Sequence, residues 1–496
     1  MEKRPKILFV LHLPPPVHGA AMVGKYIHDS KLINEKFECK YINLTTAGSL
    51  EDIGKVSLSK LKAFVHLVKS VRQQVKTFKP QLVYITPNAK GGAFYKDFIV
   101  VEILKMMGCK VVAHYHNKGV STRQDRWLDN LLYKKFFKGI KVILLGKSLY
   151  EDVEKYVNWE DVYICPNGIP VNSSPITEKK ENPIPRLLFL SNLLVSKGVF
   201  VLLDALKILK DKGYSFICDF VGGETAEIDA KLFCYEVEER GLNELVVYHG
   251  KKYGEEKENF FNRTDVFVFP TYYHNETFGL VNLEAMAHKI PIVATDEGGI
   301  PDVVVDGKNG LISERRNPQS LADCIERLLS DESLRKRMGE DGYRKLYNSF
   351  TSSHFENNFV EALSKACIAG GGKLTLCLYH GKRSGKDKQD SYNCADIFVF
   401  PTYNEAFGLV LLEAMECGVP CISTNEGAIS DIVDDGVNGL IVECRNTTQL
   451  ANAIALLIDD KKKRKEMGFR GQQKFKEQFT LDVFEKRMCK VLKQLM

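Results

Sequence analysis

Short runs of Val, Ile, Leu and Phe that do not alternate with polar residues, each followed by a helical stretch, constrain this chain most. Residues 7–13, 82–85, 110–116, 142–145 and 162–165 are such runs, and 58–78 is one of the helical patterns between them. A strand apolar on both faces must be buried on both faces, which predicts a parallel sheet covered by its own crossover helices. Pro166-Asn167-Gly168 reads as a turn, and the Pro- and Ser-rich, charged stretch 172–185 reads as a linker. The pattern then resumes at 187–190, 215–221, 245–249, 266–269 and 292–294. Two parallel-sheet α/β domains of similar size follow, residues 1–180 and 181–367; 496 residues are in any case too many for one core.

The remainder repeats part of the second domain. The segment from Asp265 to Tyr272 (Asp-Val-Phe-Val-Phe-Pro-Thr-Tyr) returns from Asp396 to Tyr403 as Asp-Ile-Phe-Val-Phe-Pro-Thr-Tyr. Residues 276–367 then align with 405–496 without a gap, well over a third of the positions being identical. Residues 368–496 are thus a diverged copy of about 237–367, with no second copy of 186–235. Two copies of this length do not make a solenoid. The first copy follows directly on 186–236 and is expected to complete the sheet. The tail is then an extra half-domain with an unpaired sheet edge.

Composition removes several function classes. Apolar residues at 44% and charged residues at 27% describe a folded chain. No apolar run reaches the ~18–20 residues of a membrane span. Residues 7–13 read as a buried strand rather than a signal peptide. Thirteen scattered cysteines without a CxxC pair suit a cytoplasmic, reducing setting, not a disulfide framework or a zinc site.

Charge is uneven. Residues 1–180 hold 29 Lys and Arg against 16 Asp and Glu, and the rest of the chain is net acidic. A basic third implies an anionic partner: a lipid surface, a phosphate-bearing substrate or nucleic acid. The helix over 58–79 carries an apolar stripe and, on its other faces, Lys60, Lys69, Arg72 and Lys76 with no acid between. The stripe packs on the sheet while the cations meet anionic headgroups, giving peripheral contact with the inner face of the cell membrane. Residues 127–141, with Trp127, Phe136 and Phe137 among lysines, form a second candidate. Nothing interleaves aromatics and cations on a nucleic-acid-binding module.

Three places carry chemistry. The turn after the first strand, through His18-Gly19, is a small-residue loop that lets backbone amides approach a phosphate or sugar, though it lacks a dinucleotide fingerprint. Ser196-Lys197-Gly198 opens a helix after 187–190, where an ammonium and helix amides meet a diphosphate. The run Glu276-Thr277-Phe278-Gly279-Leu280 begins another helix that includes Glu284. Its first amides are orphan donors for an anion, and two carboxylates eight residues apart accept from sugar or ribose hydroxyls. All three lie after strands, at the edge where open α/β sheets bind ligands.

These residues resemble the retaining glycosyltransferases of family four, which have the GT-B fold of two Rossmann-like domains facing a cleft. The match runs from Phe267 through Glu276-Thr-Phe-Gly-Leu-Val-Asn-Leu-Glu284 to Gly298-Gly-Ile-Pro-Asp302, with Ser196-Lys197-Gly198, Pro166-Asn-Gly-Ile169 and His116 in support. The resemblance covers 1–367 in order. It implies transfer of a sugar from a nucleotide-diphosphate donor, of UDP or GDP type, to a glycan or lipid-linked acceptor. It assigns Lys197 and the amides of Phe278, Gly279 and Leu280 to the diphosphate, Glu276 to the transferred sugar, and Glu284 to the ribose. His116 faces donor sugar and acceptor, and His18 and Gly19 line the acceptor side. No metal and no cofactor is implied; the leaving diphosphate helps deprotonate the acceptor. Family members commonly have Gly-Arg where this chain has Ser191-Asn192, which leaves more of the charge to Lys197. Pro170 replaces the usual acid after Asn-Gly-Ile and bears on the hinge. Glu405 and Glu413 in the tail are a possible duplicate site. The alternative reading is a catalytically inactive nucleotide- or glycan-binding scaffold whose tail mediates assembly.

Overall fold

The computed structural model describes residues 4–15, 19–45, 58–170, 182–368 and 383–495. It divides into two compact units, Met1–Leu376 and Cys377–Met496. The first unit holds two six-stranded parallel sheets. The N-terminal sheet has β1 (Lys6–Leu11), β2 (Glu38–Asn43), β3 (Leu82–Ile85), β4 (Val111–His114), β5 (Lys141–Leu144) and β6 (Val162–Ile164), in the order β2-β1-β3-β4-β5-β6. The second has β7 (Arg186–Leu190), β8 (Ile217–Val221), β9 (Val246–Tyr248), β10 (Val266–Phe269), β11 (Ile292–Thr295) and β12 (Gly310–Ser313), in the order β12-β11-β10-β7-β8-β9.

Every strand of β3, β4, β10 and β11 is buried along its whole length, as unalternated apolar runs require. Strand order reverses between β1 and β3 in one sheet and between β7 and β10 in the other. Those reversals split the outgoing loops to opposite faces and open a crevice at the carboxyl ends of the strands.

Helices cover both faces of the N-terminal sheet. The helix Leu58–Phe78 buries Leu67, Val71, Val75 and Phe78, while Lys69, Arg72 and Lys76 are exposed. The expected division between core and cations holds from Val71 onward, while Val65, on the expected apolar stripe, is exposed; the side chain of Lys60 lies outside those described. The opposite face is closed by Gly19–Asp29 and by Ser352–Ile368, a helix that belongs by sequence to the second half of the unit. Its Phe359 lies among Phe9, Tyr84, His114 and Phe355, with ring centroids 5.1–6.4 Å away.

The chain passes between the two sheets twice, and the two passages are bonded to each other. Ile169 N donates to Phe350 O, and Ser352 N to Ile169 O, both at 2.9 Å. Gly168 makes this approach possible, since a Cβ there would lie 2.2 Å from Thr351 O.

The second unit contains a three-stranded parallel sheet, β13 (Phe398–Phe400), β14 (Cys421–Thr424) and β15 (Gly439–Val442), in that order. Its order and register follow β10-β11-β12: Phe398 faces Cys421 as Phe267 faces Ile292. Where β10 is flanked by β7 and β11, β13 pairs only with β14 among the described residues. The first copy thus completes the second sheet, as its place in the chain led us to expect.

Candidate active site

The switch point of the second sheet brings two of the expected loops together. After β7 the chain makes a short turn at Val195–Lys197, and Gly198 follows at φ 83°. A Cβ on Gly198 would lie 2.2 Å from Pro270 O, so the close approach of the β7 and β10 loops needs a glycine here. Tyr272 N donates to Ser196 O at 2.8 Å and fixes the same contact. Lys197 is thereby aimed at the β10 loop. Its Nζ lies 2.5 Å from Glu276 Oε2, over the rings of Tyr273 and Phe269 at 4.8 and 5.3 Å. Both charged side chains are largely shielded from water, a setting in which the pair is stronger than on the surface.

Glu276 is held from behind. A Cβ at Gly298, which has φ 60°, would lie 2.2 Å from Glu276 O, so the β11 loop presses directly on that backbone. Thr277 Oγ1 donates to His116 O at 3.2 Å, tying the loop to the end of β4 in the N-terminal sheet. Phe278 is buried and stacks edge-on against Phe350, so its side chain anchors the loop. Gly279, at φ 66°, turns the chain into the helix Leu280–Ala287. Among the described residues the amides of Phe278, Gly279 and Leu280 have no protein acceptor. Within the helix, Asn282 is fully buried with neither side-chain polar atom bonded, one turn from those amides. Glu284 accepts from Lys257 at 2.7 Å and is half-buried.

His116 completes the cluster from the other sheet. Its Nε2 is sheltered and unpartnered, and burial pushes the ring down to about 4. The imidazole is therefore neutral at pH 7 and able to accept a hydrogen bond. It lies 4.1 Å from the ring of His114, whose Nδ1 meets Tyr84 Oη at 2.8 Å.

Of the remaining expected residues, Gly19 is exposed at the start of its helix, with nothing within 4 Å of where a Cβ would sit. His18 lies outside the described residues. Sequence reasoning missed Glu297, a buried carboxylate after β11 that pairs with Lys118 from the β4 loop and with Arg315 at 3.1 Å. An acid between a strand end and Gly298-Gly299 was the available signal. It also missed Asp302, whose Oδ2 accepts from Ser148 N at 2.9 Å and joins the two sheets' loops. Nearby His274 is pushed down by burial, with the charges of Lys90 and Lys118 acting in the same direction.

The tail repeats half of this arrangement. Glu413 accepts from Lys388 at 2.7 Å and from Tyr392 Oη at 2.9 Å, much as Glu284 accepts from Lys257. Glu405 behaves differently from Glu276. Its Oε1 accepts from the amides of Ala406, Phe407 and Gly408 at 3.1–3.3 Å. Two of the three amides left open in the first copy, those corresponding to Phe407 and Gly408, are occupied in the second by the chain's own carboxylate. The second unit has no strand or loop equivalent to β7 and Lys197 among its described residues.

Two Rossmann-like parallel sheets in one unit have the architecture of the GT-B class of proteins; here the second sheet holds the shielded Lys–Glu pair and the first is bonded to the same loop through His116 O and Thr277. The family model for "Glycosyl transferases group 1" matches residues 172–345 and again 372–474, together more than half of the chain. The chain belongs to that family.

Among curated relatives, the capsular polysaccharide biosynthesis glycosyltransferase CapM of Staphylococcus aureus is 32% identical over 164 residues, 33% of this chain and 42% of that protein. The match thus spans less than half the length of that relative. Among solved structures, sucrose-phosphate synthase from Thermosynechococcus elongatus superposes with a TM-score of 0.57 at 18% identity, over 74% of this chain and 100% of that one. Anabaena HepE in complex with UDP and glucose gives 0.53 at 17% identity, over 73% and 100%. At these identities the structures share the fold. No helix among the described residues is long and apolar enough to cross a membrane.

Proposed function

We propose that the chain is a retaining glycosyltransferase that moves a sugar from a UDP- or GDP-linked donor to a glycan or lipid-linked acceptor in cell-surface polysaccharide or glycolipid synthesis. The observation that carries this reading is the shielded Lys197–Glu276 pair at the switch point, beside three amides with no acceptor. An arriving diphosphate takes Lys197 and the amides of Phe278, Gly279 and Leu280, which lie where charge develops on the leaving group. Glu276 is then released to accept from hydroxyls of the transferred sugar. Glu284 accepts from the ribose, and neutral His116 holds a sugar hydroxyl from the opposite wall of the cleft. In this reading the leaving diphosphate takes the acceptor proton, the chain positions the reactants, and no metal is assigned a role. The CapM relative, a capsular polysaccharide enzyme by its name, supports the choice of pathway. HepE, solved with UDP and glucose, supports a uridine donor first.

The test is sugar transfer or donor hydrolysis from a panel of UDP and GDP sugars, with the anomer of the product read by NMR. Lys197→Ala and Glu276→Gln are expected to lower turnover by roughly 10²–10³-fold, the usual effect of removing one charge-stabilising group. An inverted product defeats the retaining assignment. Nucleotide binding without turnover by the wild type leaves the scaffold.

A further inference from the structure

The helix Leu481–Leu495 closes the second unit and stands, in the internal repeat, where Ser352–Ile368 stands in the first. In the first copy Phe355, Phe359, Ala362 and Leu363 are buried against the N-terminal sheet. The tail has Phe484, Met488, Val491 and Leu492 at the same repeat positions, and these are 42–56% exposed. With Leu481 they recur every three or four residues and share one helical face. Single exposed apolar residues are ordinary, but five on one face of a four-turn helix are an unmet interface. The site on the N-terminal sheet that the repeat suggests for them is already filled by Ser352–Ile368.

Charge identifies what covers the face. Lys486, Arg487, Lys490 and Lys493 are exposed on the rest of the helix, against Asp482 and Glu485. Residues 461–496 hold 12 Lys and Arg and four Asp and Glu, beginning with Lys461-Lys-Lys-Arg-Lys465. A second copy would set this positive segment against itself. A surface that is apolar beneath and anionic above accepts both parts of the helix. We propose that Leu481–Leu495 is an interfacial anchor lying in the plane of an anionic membrane, its apolar face in the acyl boundary and its cations among headgroup phosphates. This contact is separate from the helix Leu58–Phe78, whose described apolar stripe is largely spent on the core, and it does not depend on the donor chemistry.

The experiment uses the full chain, with vesicles of phosphatidylglycerol mixed equally with phosphatidylcholine, against phosphatidylcholine alone. Wild type is expected to sediment with the anionic vesicles and to gain hydrogen-exchange protection over 481–495. Phe484→Glu/Met488→Glu is expected to bind at least ten-fold more weakly and to lose that protection, with its melting curve unchanged because both positions are exposed. Lys490→Ala/Lys493→Ala is expected to lower binding by roughly ten-fold or more, each cation near the surface contributing about five-fold. Equal sedimentation of wild type and Phe484→Glu/Met488→Glu overturns the proposal. So does equal wild-type binding to both vesicle types. A wild-type dimer that this double variant splits, with vesicle binding unchanged, also overturns it and makes a second copy the occupant.

Discussion

Replacing Glu284 by alanine separates the two copies of the motif most sharply. Glu284 is half-buried, bonded to Lys257 at 2.7 Å, and placed one helical turn beyond the open amides. A hydrogen bond to a charged acceptor contributes about 1.5–3 kcal/mol, so losing the ribose contact weakens the nucleotide by about 2 kcal/mol, or ~30-fold. At a nucleotide concentration ~100 times the wild-type Kd, wild type gains about 2.7 kcal/mol; the variant, at only ~3 times its own Kd, gains about 0.9. The cost to the unliganded fold is small, about 0–1 kcal/mol for an ion pair of this exposure. Glu413→Ala is the internal control. It breaks a similar Lys pair in a half-site that has no counterpart of Lys197 among its described residues and in which Glu405 already fills the amides of Phe407 and Gly408, so the ligand shift should stay whole. Thermal unfolding with UDP, GDP and ADP, backed by calorimetric titration, measures each quantity. A full shift in Glu284→Ala refutes the ribose assignment. Loss of the shift in Glu413→Ala instead refutes the placement of the site.

Acid should weaken the first unit through its buried histidines. His116 holds its proton only below about 4, against 6.5 for an ordinary histidine, so between those values the unfolded chain binds a proton that the folded one refuses. Its contribution is intact above 6.5 and falls by ~1.4 kcal/mol per pH unit toward 4, and burial pushes His114 the same way. Urea midpoints at pH 7.5 and 5 should show the drop, and a His116→Gln chain that keeps the same slope would contradict it. Phe359→Ala should cost ~3–5 kcal/mol by opening a cavity among four rings, whereas Met488→Ala at the same repeat position should be almost neutral in solution. Removing 377–496 should leave nucleotide binding within about two-fold of the full chain, since the described site residues all lie in the first unit. A collapse of binding would assign the tail a share of the site.

Much of this was legible because burial on both faces leaves a coarse mark. The runs that form β3, β4, β7 and β10 read as strands from their apolar residues alone. Strands without that mark escaped. β2, an edge strand half-exposed throughout, mixes Glu38, Lys40 and Asn43 with its apolar residues, and β12 is four residues opening on Gly310. The motif residues Lys197, Glu276 and Glu284 could be singled out, but their relations could not. That Lys197 bonds Glu276 depends on Gly198 meeting Pro270, a contact between loops about 70 residues apart. The burial of His116, the pairing of Glu297 with Lys118 and the return of Ser352–Ile368 to the N-terminal sheet are all set by tertiary placement. Glu405 is the plainest case. Its sequence context nearly repeats that of Glu276, yet without an ammonium opposite, the carboxylate turns onto its own loop.

The paired passages at Ile169 and Thr351 set the way the cleft can move. A single connecting strand is a swivel, and two domains hung on one can twist as freely as they can bend. Two strands bonded side by side at 2.9 Å, drawn together at Gly168, resist torsion and leave bending as the soft coordinate. The cleft then works like a door on two hinge pins. Closure along that one arc would bring His116 back to the same contact, its carbonyl on Thr277 Oγ1, without a search through orientations. A bulky residue at position 168 would push the pins apart and add the twist back, and the reaction would slow because reactants met at the wrong angle, not because a chemical group was missing.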